Sequence, residues 1–120
     1  MRKLLLLPLL APLAAPLPAA AQSNSQLFCF ANDTLAVQTR VRILQIRSDG
    51  FESNVEWMRV GGKSRYCVRL VRPFGVRFQV QSWNARWEAA ANCGRTIWQP
   101  SGGTVLRMSG HVLNFICSEE

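Results

Sequence analysis

The sequence predicts an all-β fold: an antiparallel β-sandwich of immunoglobulin-like type, or a small β-barrel, with seven to eight strands and two disulfides. Three observations carry this expectation. Apolar and polar residues alternate with period two, not 3.6, as in Val76-Arg77-Phe78-Gln79-Val80-Gln81-Ser82-Trp83. Turn-forming clusters interrupt the alternation at short intervals. Four cysteines, Cys29, Cys67, Cys93 and Cys117, occur with no Cys-x-x-Cys pair among them.

The chain opens on a different kind of segment. Met1-Arg2-Lys3 is basic, Leu4 to Leu17 is an apolar run broken by Pro8, Pro12 and Pro16, and Pro18-Ala19-Ala20-Ala21 ends in small residues. That order is a secretory signal peptide over residues 1–21, with cleavage before Gln22. The run covers about 21 Å as a helix, short of a hydrocarbon core of about 30 Å. Residues 22–120 are then one β domain, exported to the periplasm or the extracellular space. With Arg2 and Lys3 removed, twelve basic residues face seven acidic ones, a net charge of +5. Eleven of the twelve are arginine, a usage typical of a GC-rich bacterium.

The strands follow in order. The first covers residues 27–31. Asn32-Asp33-Thr34 matches an N-glycosylation pattern, but these residue types equally close a turn through side-chain-to-backbone hydrogen bonds. In the next strand, 35–47, Val37, Thr39, Val41 and Ile43 alternate with Gln38, Arg40 and Arg42. Its phase slips at Leu44, which suggests a β-bulge or a change of sheet. Ser48-Asp49-Gly50 fits a hairpin turn before a strand at 51–60, where Trp57 shares the phase of Val55 and is expected in the core. Gly61-Gly62-Lys63 precedes 65–72, and Pro73-Phe74-Gly75 precedes 76–83. Arg86 to Ala91 is the one stretch with helical character. Short strands at 96–99, 104–109 and 111–117 complete the chain, with turns at Pro100-Ser101-Gly102-Gly103 and Ser109-Gly110. The last strand is apolar enough to be central.

Export makes two disulfides the natural reading of four cysteines. Shorter loops favour Cys29–Cys67 with Cys93–Cys117, while Cys29–Cys117, joining the first and last strands, stays open as a rival. No metal and no cofactor is expected, because the cysteines are unpaired in sequence and His111 is the single histidine. Nothing supports catalysis. Asp49 has a turn to hold, Glu119 and Glu120 form the chain end, Glu52 and Glu56 fall on a solvated strand face, and no nucleophile elbow or phosphate-binding glycine loop is present.

Cys29, Asn32-Asp33-Thr34, Trp57, Gly61-Gly62 and Cys67, with Cys93 and Cys117 as the later pair, resemble the layout of small exported proteobacterial β proteins that have no assigned activity. Gly62-Lys63-Ser64-Arg65-Tyr66 is similar, with one additional residue, to a Gly-x-Arg-Tyr stretch of periplasmic lysozyme inhibitors, which are small disulfide-bonded barrels. These resemblances imply an exported β fold.

The functional expectation rests on the surface. Arg40, Arg42, Arg69 and Arg77 fall on the polar phase of their strands, and Gln79, Gln81 and Trp83 extend that phase. An arginine fork binds carboxylate or phosphate in a bidentate way. The expected function is non-catalytic binding of an anionic cell-envelope component, an acidic polysaccharide or an acidic protein. The arginines lack a recognisable nucleic-acid-binding motif, which argues against nucleic acid. Three alternatives belong to other classes: a periplasmic hydrolase inhibitor, a carbohydrate-binding module using exposed tryptophans, and a small hydrolase.

Overall fold

The computed structural model describes residues 24–34, 38–111 and 114–120. The expected signal peptide, residues 1–21, lies outside the described residues, as do 35–37 at the start of the second expected strand. Ten strands are described: β1 (Ser25–Asn32), β2 (Thr39–Ile46), β3 (Glu52–Ser53), β4 (Met58–Val60), β5 (Ser64–Val71), β6 (Gly75–Ser82), β7 (Ala91–Asn92), β8 (Ile97–Trp98), β9 (Thr104–His111) and β10 (Asn114–Glu119). They form two sheets packed face to face as a sandwich. One sheet has the order β10-β9-β1-β5; the other has β2 and β6 at its centre, with β3 and β4 along the free edge of β2 and β7 and β8 along that of β6.

Period-two alternation decides which side chains enter the space between the sheets. Phe28, Phe30, Leu70, Leu106 and Met108 from the first sheet meet Val41, Ile43, Val76, Phe78 and Val80 from the second, all nearly or fully buried. One pairing departs from the antiparallel expectation: β1 runs parallel to β9, from Phe28 opposite Thr104 to Asn32 opposite Met108. The chain reaches β9 only after the whole second sheet has been laid down, so it can return beside β1 in the same direction.

The disulfides join Cys29 to Cys67 and Cys93 to Cys117, the pairing that loop length favoured. Cys29 and Cys67 face each other directly across the β1–β5 ladder. Cys93 follows β7 of one sheet and Cys117 lies in β10 of the other, so this bridge ties the two layers together.

Five local expectations need correction. The phase slip at Leu44 is not a bulge in β2, because β2 pairs with β6 without interruption from Thr39↔Ser82 to Ile46↔Gly75. Leu44 and Ile46 instead belong to the outer phase and are covered there, Ile46 next to Gly75 where Trp98 lies. The bulge is on the neighbouring strand. Gln45 opposes Ser53, whereas Thr39 opposes Val60, so the pairing gains one residue across 54–57. Asn54, at φ 62°, turns the chain there, and its Nδ2 donates to Ile43 O at 2.7 Å. The expected single strand at 51–60 is therefore split into β3 and β4. Ser109-Gly110 is not a turn either: both residues remain in β9, opposite Ile116 and Phe115. β10 is an edge strand, with Ile116 67% exposed, not a central one. No helix occurs among the described residues; Trp87 bridges to Trp83 and the chain then enters β7.

Candidate functional site: an arginine–tryptophan ladder

β2 and β6 turn Arg40, Arg42, Arg77, Gln79 and Gln81 to one side, because their neighbours Val41, Ile43, Val76, Phe78 and Val80 are committed to the core. The register sets Arg40 opposite Gln81 and Arg42 opposite Gln79. Arg40 Nε donates to Gln81 Oε1 at 2.6 Å and Arg42 Nε donates to Gln79 Oε1 at 2.9 Å. Each glutamine is fixed from behind: Gln81 Nε2 donates to Glu88 O and Gln79 Nε2 donates to Asn92 Oδ1, both at 3.0 Å. With Nε engaged, the guanidinium planes are held, and Arg42 Nη1 also donates to Val55 O at 3.4 Å.

Aromatic rings fill the gaps between the cations. The Arg42 guanidinium carbon lies 4.5 Å from the centre of the Trp57 ring, and that of Arg40 lies 5.3 Å from Trp57 and 4.3 Å from Trp87. Arg59, opposite Arg40 in the β2–β4 pairing, sits 5.3 Å from Trp87. The order along the face is Arg42, Trp57, Arg40, Trp87, Arg59. A ring's negative face offsets the repulsion that three neighbouring guanidinium groups would otherwise feel, and a flat ion loses little hydration by stacking. Trp83 extends the array, edge-on to Trp87 at 5.3 Å and 42% exposed.

Five of the other described basic groups have carboxylate partners. Arg47 pairs with Asp49, Lys63 with Asp33, Arg77 with Glu52, Arg95 with Glu119, and Arg107 with Asp33 and Glu120. Arg40, Arg42 and Arg59 have no carboxylate partner among the described residues, and neither do Arg65, Arg69, Arg72 and Arg86; what sets the three apart is that they cluster around shared tryptophan rings. Three positive charges therefore sit side by side on a rigid sheet, held by amides and rings.

The residues expected to share one face are only partly brought together. Arg40, Arg42, Gln79, Gln81 and Trp83 meet as expected. Arg77 is on the same face but is neutralised by Glu52 at 3.1 Å, with its Nε donating to Thr96 Oγ1. Arg69 is on β5, in the other sheet, because the chain changes layers at 72–74. Trp57, expected in the core, lies on the outer face. Its phase was counted from Val55, which is itself exposed beyond the Asn54 break; counted from Val60, 3% exposed, Trp57 and Arg59 both point outward. Arg59 and Trp87 are the members that alternation alone did not supply.

Elsewhere the polar residues have structural roles. Asn32 is buried; its Oδ1 accepts from Thr34 N and Thr34 Oγ1, and its Nδ2 donates to Val60 O at 2.9 Å. A side chain so engaged is not available to carry a glycan. Asp49 caps the β2–β3 hairpin, accepting from Phe51 N at 3.0 Å, and Gly50 supplies the positive φ of 90°. The Arg47 guanidinium, helped by Phe51 N, holds the Asp49 carboxyl down to about 2, and the Lys63 ammonium lowers that of Asp33. His111 is exposed at the end of β9. Among the described residues no three His, Cys, Asp or Glu side chains are placed to hold a metal ion, and no helix is long and apolar enough to cross a membrane.

No family model matches the chain, and no curated protein matches it. Solved structures do share its fold. A membrane pore complex of pneumolysin is 9% identical with a TM-score of 0.55 over 81% of this chain and 23% of that one. A structure described as a trapped toxin is 12% identical with a TM-score of 0.50, over 80% and 23%. The chain thus spans about a quarter of the length of these matches, and at such identities the likeness is one of fold.

Proposed function

We propose that this protein is an exported, non-catalytic binding domain that engages an anionic cell-envelope component or an acidic protein through the face built by Arg40, Arg42 and Arg59. The observation that carries the reading is the clustering of three guanidinium groups on one face, interleaved with tryptophan rings and with no carboxylate paired to them. A solvated sheet surface without a binding role would be expected to interleave Arg with Glu, as Arg77 and Glu52 do. Guanidinium groups fixed in place lose less freedom on binding than free side chains, so their terminal nitrogens are preorganised for carboxylate or phosphate oxygens. Two disulfides suit an oxidising compartment, which agrees with the export signal read from residues 1–21.

Arg59→Gln is the cleanest test, because Arg59 makes no described hydrogen bond or ion pair and its loss leaves the sheet intact. Adsorption to washed envelope and to poly-glutamate should weaken by about fivefold for Arg59→Gln, and further for Arg40→Gln with Arg59→Gln. It should also fall as salt rises from 0.05 to 0.3 M, since exposed charges are screened beyond about 8–10 Å near 0.1–0.15 M. Adsorption indifferent to both salt and these variants would remove the proposal. Salt-resistant adsorption lost on Trp83→Ala would favour aromatic stacking on a neutral glycan instead.

A further inference from the structure

The opposite end of β2 from the ladder opens into a cleft of about 740 Å³, roughly 17 Å along the strand from Arg42 to Arg47. Three connections meet there: the hairpin at 47–51, the crossover at 72–74 and the link from β8 to β9. Its volume falls within the range of small-ligand sites.

The lining has a consistent chemistry. Gln26 and Gln45 come from the two sheets, and their amide nitrogens are already committed, Gln26 Nε2 to Pro100 O at 2.9 Å and Gln45 Nε2 to Val71 O at 3.5 Å. The Gln45 side-chain oxygen is left as an acceptor. Gln26 Oε1, at the base, is buried without a donor among the described residues. The positive groups differ from one another: Arg47 is cancelled by Asp49, whereas Arg72 meets only the amide oxygen of Asn24, at 2.9 Å. Beside Arg72, Phe74 lines the cleft and is partly exposed, and Trp98, outside the lining, packs edge-on to it at 5.7 Å. Trp98 is fixed because it lies directly on Gly75, where any Cβ would come within 2.6 Å of its ring.

The backbone is also set in advance. Arg72 and Gln99, on the two lips, have φ values of 45° and 46°, and each precedes a proline. Non-glycine residues hold that left-handed conformation only when their surroundings enforce it, and such positions concentrate at binding sites.

An acceptor amide, a guanidinium without a carboxylate and an aromatic face are together the groups that recognise a sugar bearing an acid. Hydroxyls donate to the Gln45 amide oxygen, the apolar ring face lies on Phe74, and the acid pairs with the guanidinium. We propose that this cleft is a binding site for an acidic saccharide, with Arg72 on its carboxylate or phosphate and Phe74 under its ring. The site is separate from the ladder and does not depend on it.

The test is titration of the 15N-labelled protein with a galacturonate trisaccharide, with glucose 1-phosphate and with neutral maltotriose, following backbone and glutamine side-chain amides. The acidic sugars should shift the Gln26, Gln45, Arg72 and Phe74 signals, and the stronger of the two identifies the acid. Arg72→Gln and Phe74→Ala should each weaken binding by about tenfold, a change of about 1.4 kcal/mol. Arg59→Gln should leave it unchanged. Circular dichroism of each variant establishes that the fold is retained, and Phe74→Leu, which keeps an apolar side chain at that lip, provides a milder second change that should weaken binding severalfold. Equal binding of maltotriose, shifts confined to the ladder, or no cleft shift at 10 mM sugar would each overturn the proposal. So would attachment to anionic phospholipid vesicles through Phe74 and Trp98 with no response to soluble sugars.

Discussion

Trp57 is the residue on which the reading of the ladder turns, and Trp57→Ala can be worked out in advance. Its ring is half-buried, belongs to no part of the inter-sheet core, and carries the guanidinium of Arg42 at 4.5 Å and that of Arg40 at 5.3 Å. Two exposed cation–π contacts contribute about 0.5–1 kcal/mol each. Covering roughly half of the ring adds about 1 kcal/mol, since fully burying a large apolar side chain is worth about 1.5–3. The expected cost is therefore about 2–3 kcal/mol, against about 3–5 for a tryptophan removed from a packed core. Urea denaturation measures it. A double-mutant cycle then isolates the contact: Arg42→Met keeps the apolar stem, and its lost hydrogen bond to Gln79 is common to both Arg42→Met legs and cancels. A coupling of about 0.5–1 kcal/mol between Arg42 and Trp57 is expected. A coupling indistinguishable from zero, or a Trp57→Ala cost above about 4 kcal/mol, would refute the stacked arrangement and return Trp57 to the core.

Three further outcomes follow from the same structure. Replacing Cys93 and Cys117 by Ser opens a loop with a sequence separation of 24 and should cost about 3.5 kcal/mol; opening the 38-residue Cys29–Cys67 separation should cost about 4, and losses under about 1 kcal/mol in non-reducing urea melts would contradict the chain-entropy account. Asn32→Ala strands Val60 O and Thr34 N in a buried turn and should cost about 2–3 kcal/mol, while a glycan found at Asn32 by mass spectrometry in a glycosylating host would show the turn to be wrong. The lowered carboxyls of Asp49 and Asp33 contribute stability that is present above the ordinary carboxylate value and is lost as pH falls through the lowered one. Acid melts should therefore weaken between about pH 4 and 2, and a carboxyl-carbon titration of Asp49 with its midpoint near 4 instead of about 2 would contradict the Arg47–Asp49 pairing.

The parts of the fold that could be read from sequence are those set by neighbours along the chain. Val76, Phe78 and Val80 against Arg77, Gln79 and Gln81 need only the two-residue repeat of a strand, and the structure keeps that division along β6. Asp49-Gly50 makes its hairpin through a side-chain acceptor and a positive φ, both local properties. Asn32 and Thr34 close their turn across two residues. The readings that failed needed a partner strand. Leu44 looked like a slip because a second covered apolar patch on the outer face has no signature in one strand alone. Ser109-Gly110 looked like a turn because pairing with Phe115 and Ile116, which holds Gly110 in β9, is invisible before the hairpin closes.

By itself, then, the sequence determined an all-β chain with its polar and apolar faces assigned, its cysteines available for two bridges and an excess of arginine to display. Which arginines would stand together was decided only by the tertiary structure. Arg42 and Arg59 are seventeen positions apart and Trp87 lies twenty-eight beyond Arg59, yet the β2–β4 and β2–β6 pairings set them along one face; Arg69, eight positions before Arg77, is carried to the other sheet. The physical reason is that strand phase gives a side chain only its direction, whereas the register of pairing and the point at which the chain changes layers give its neighbours.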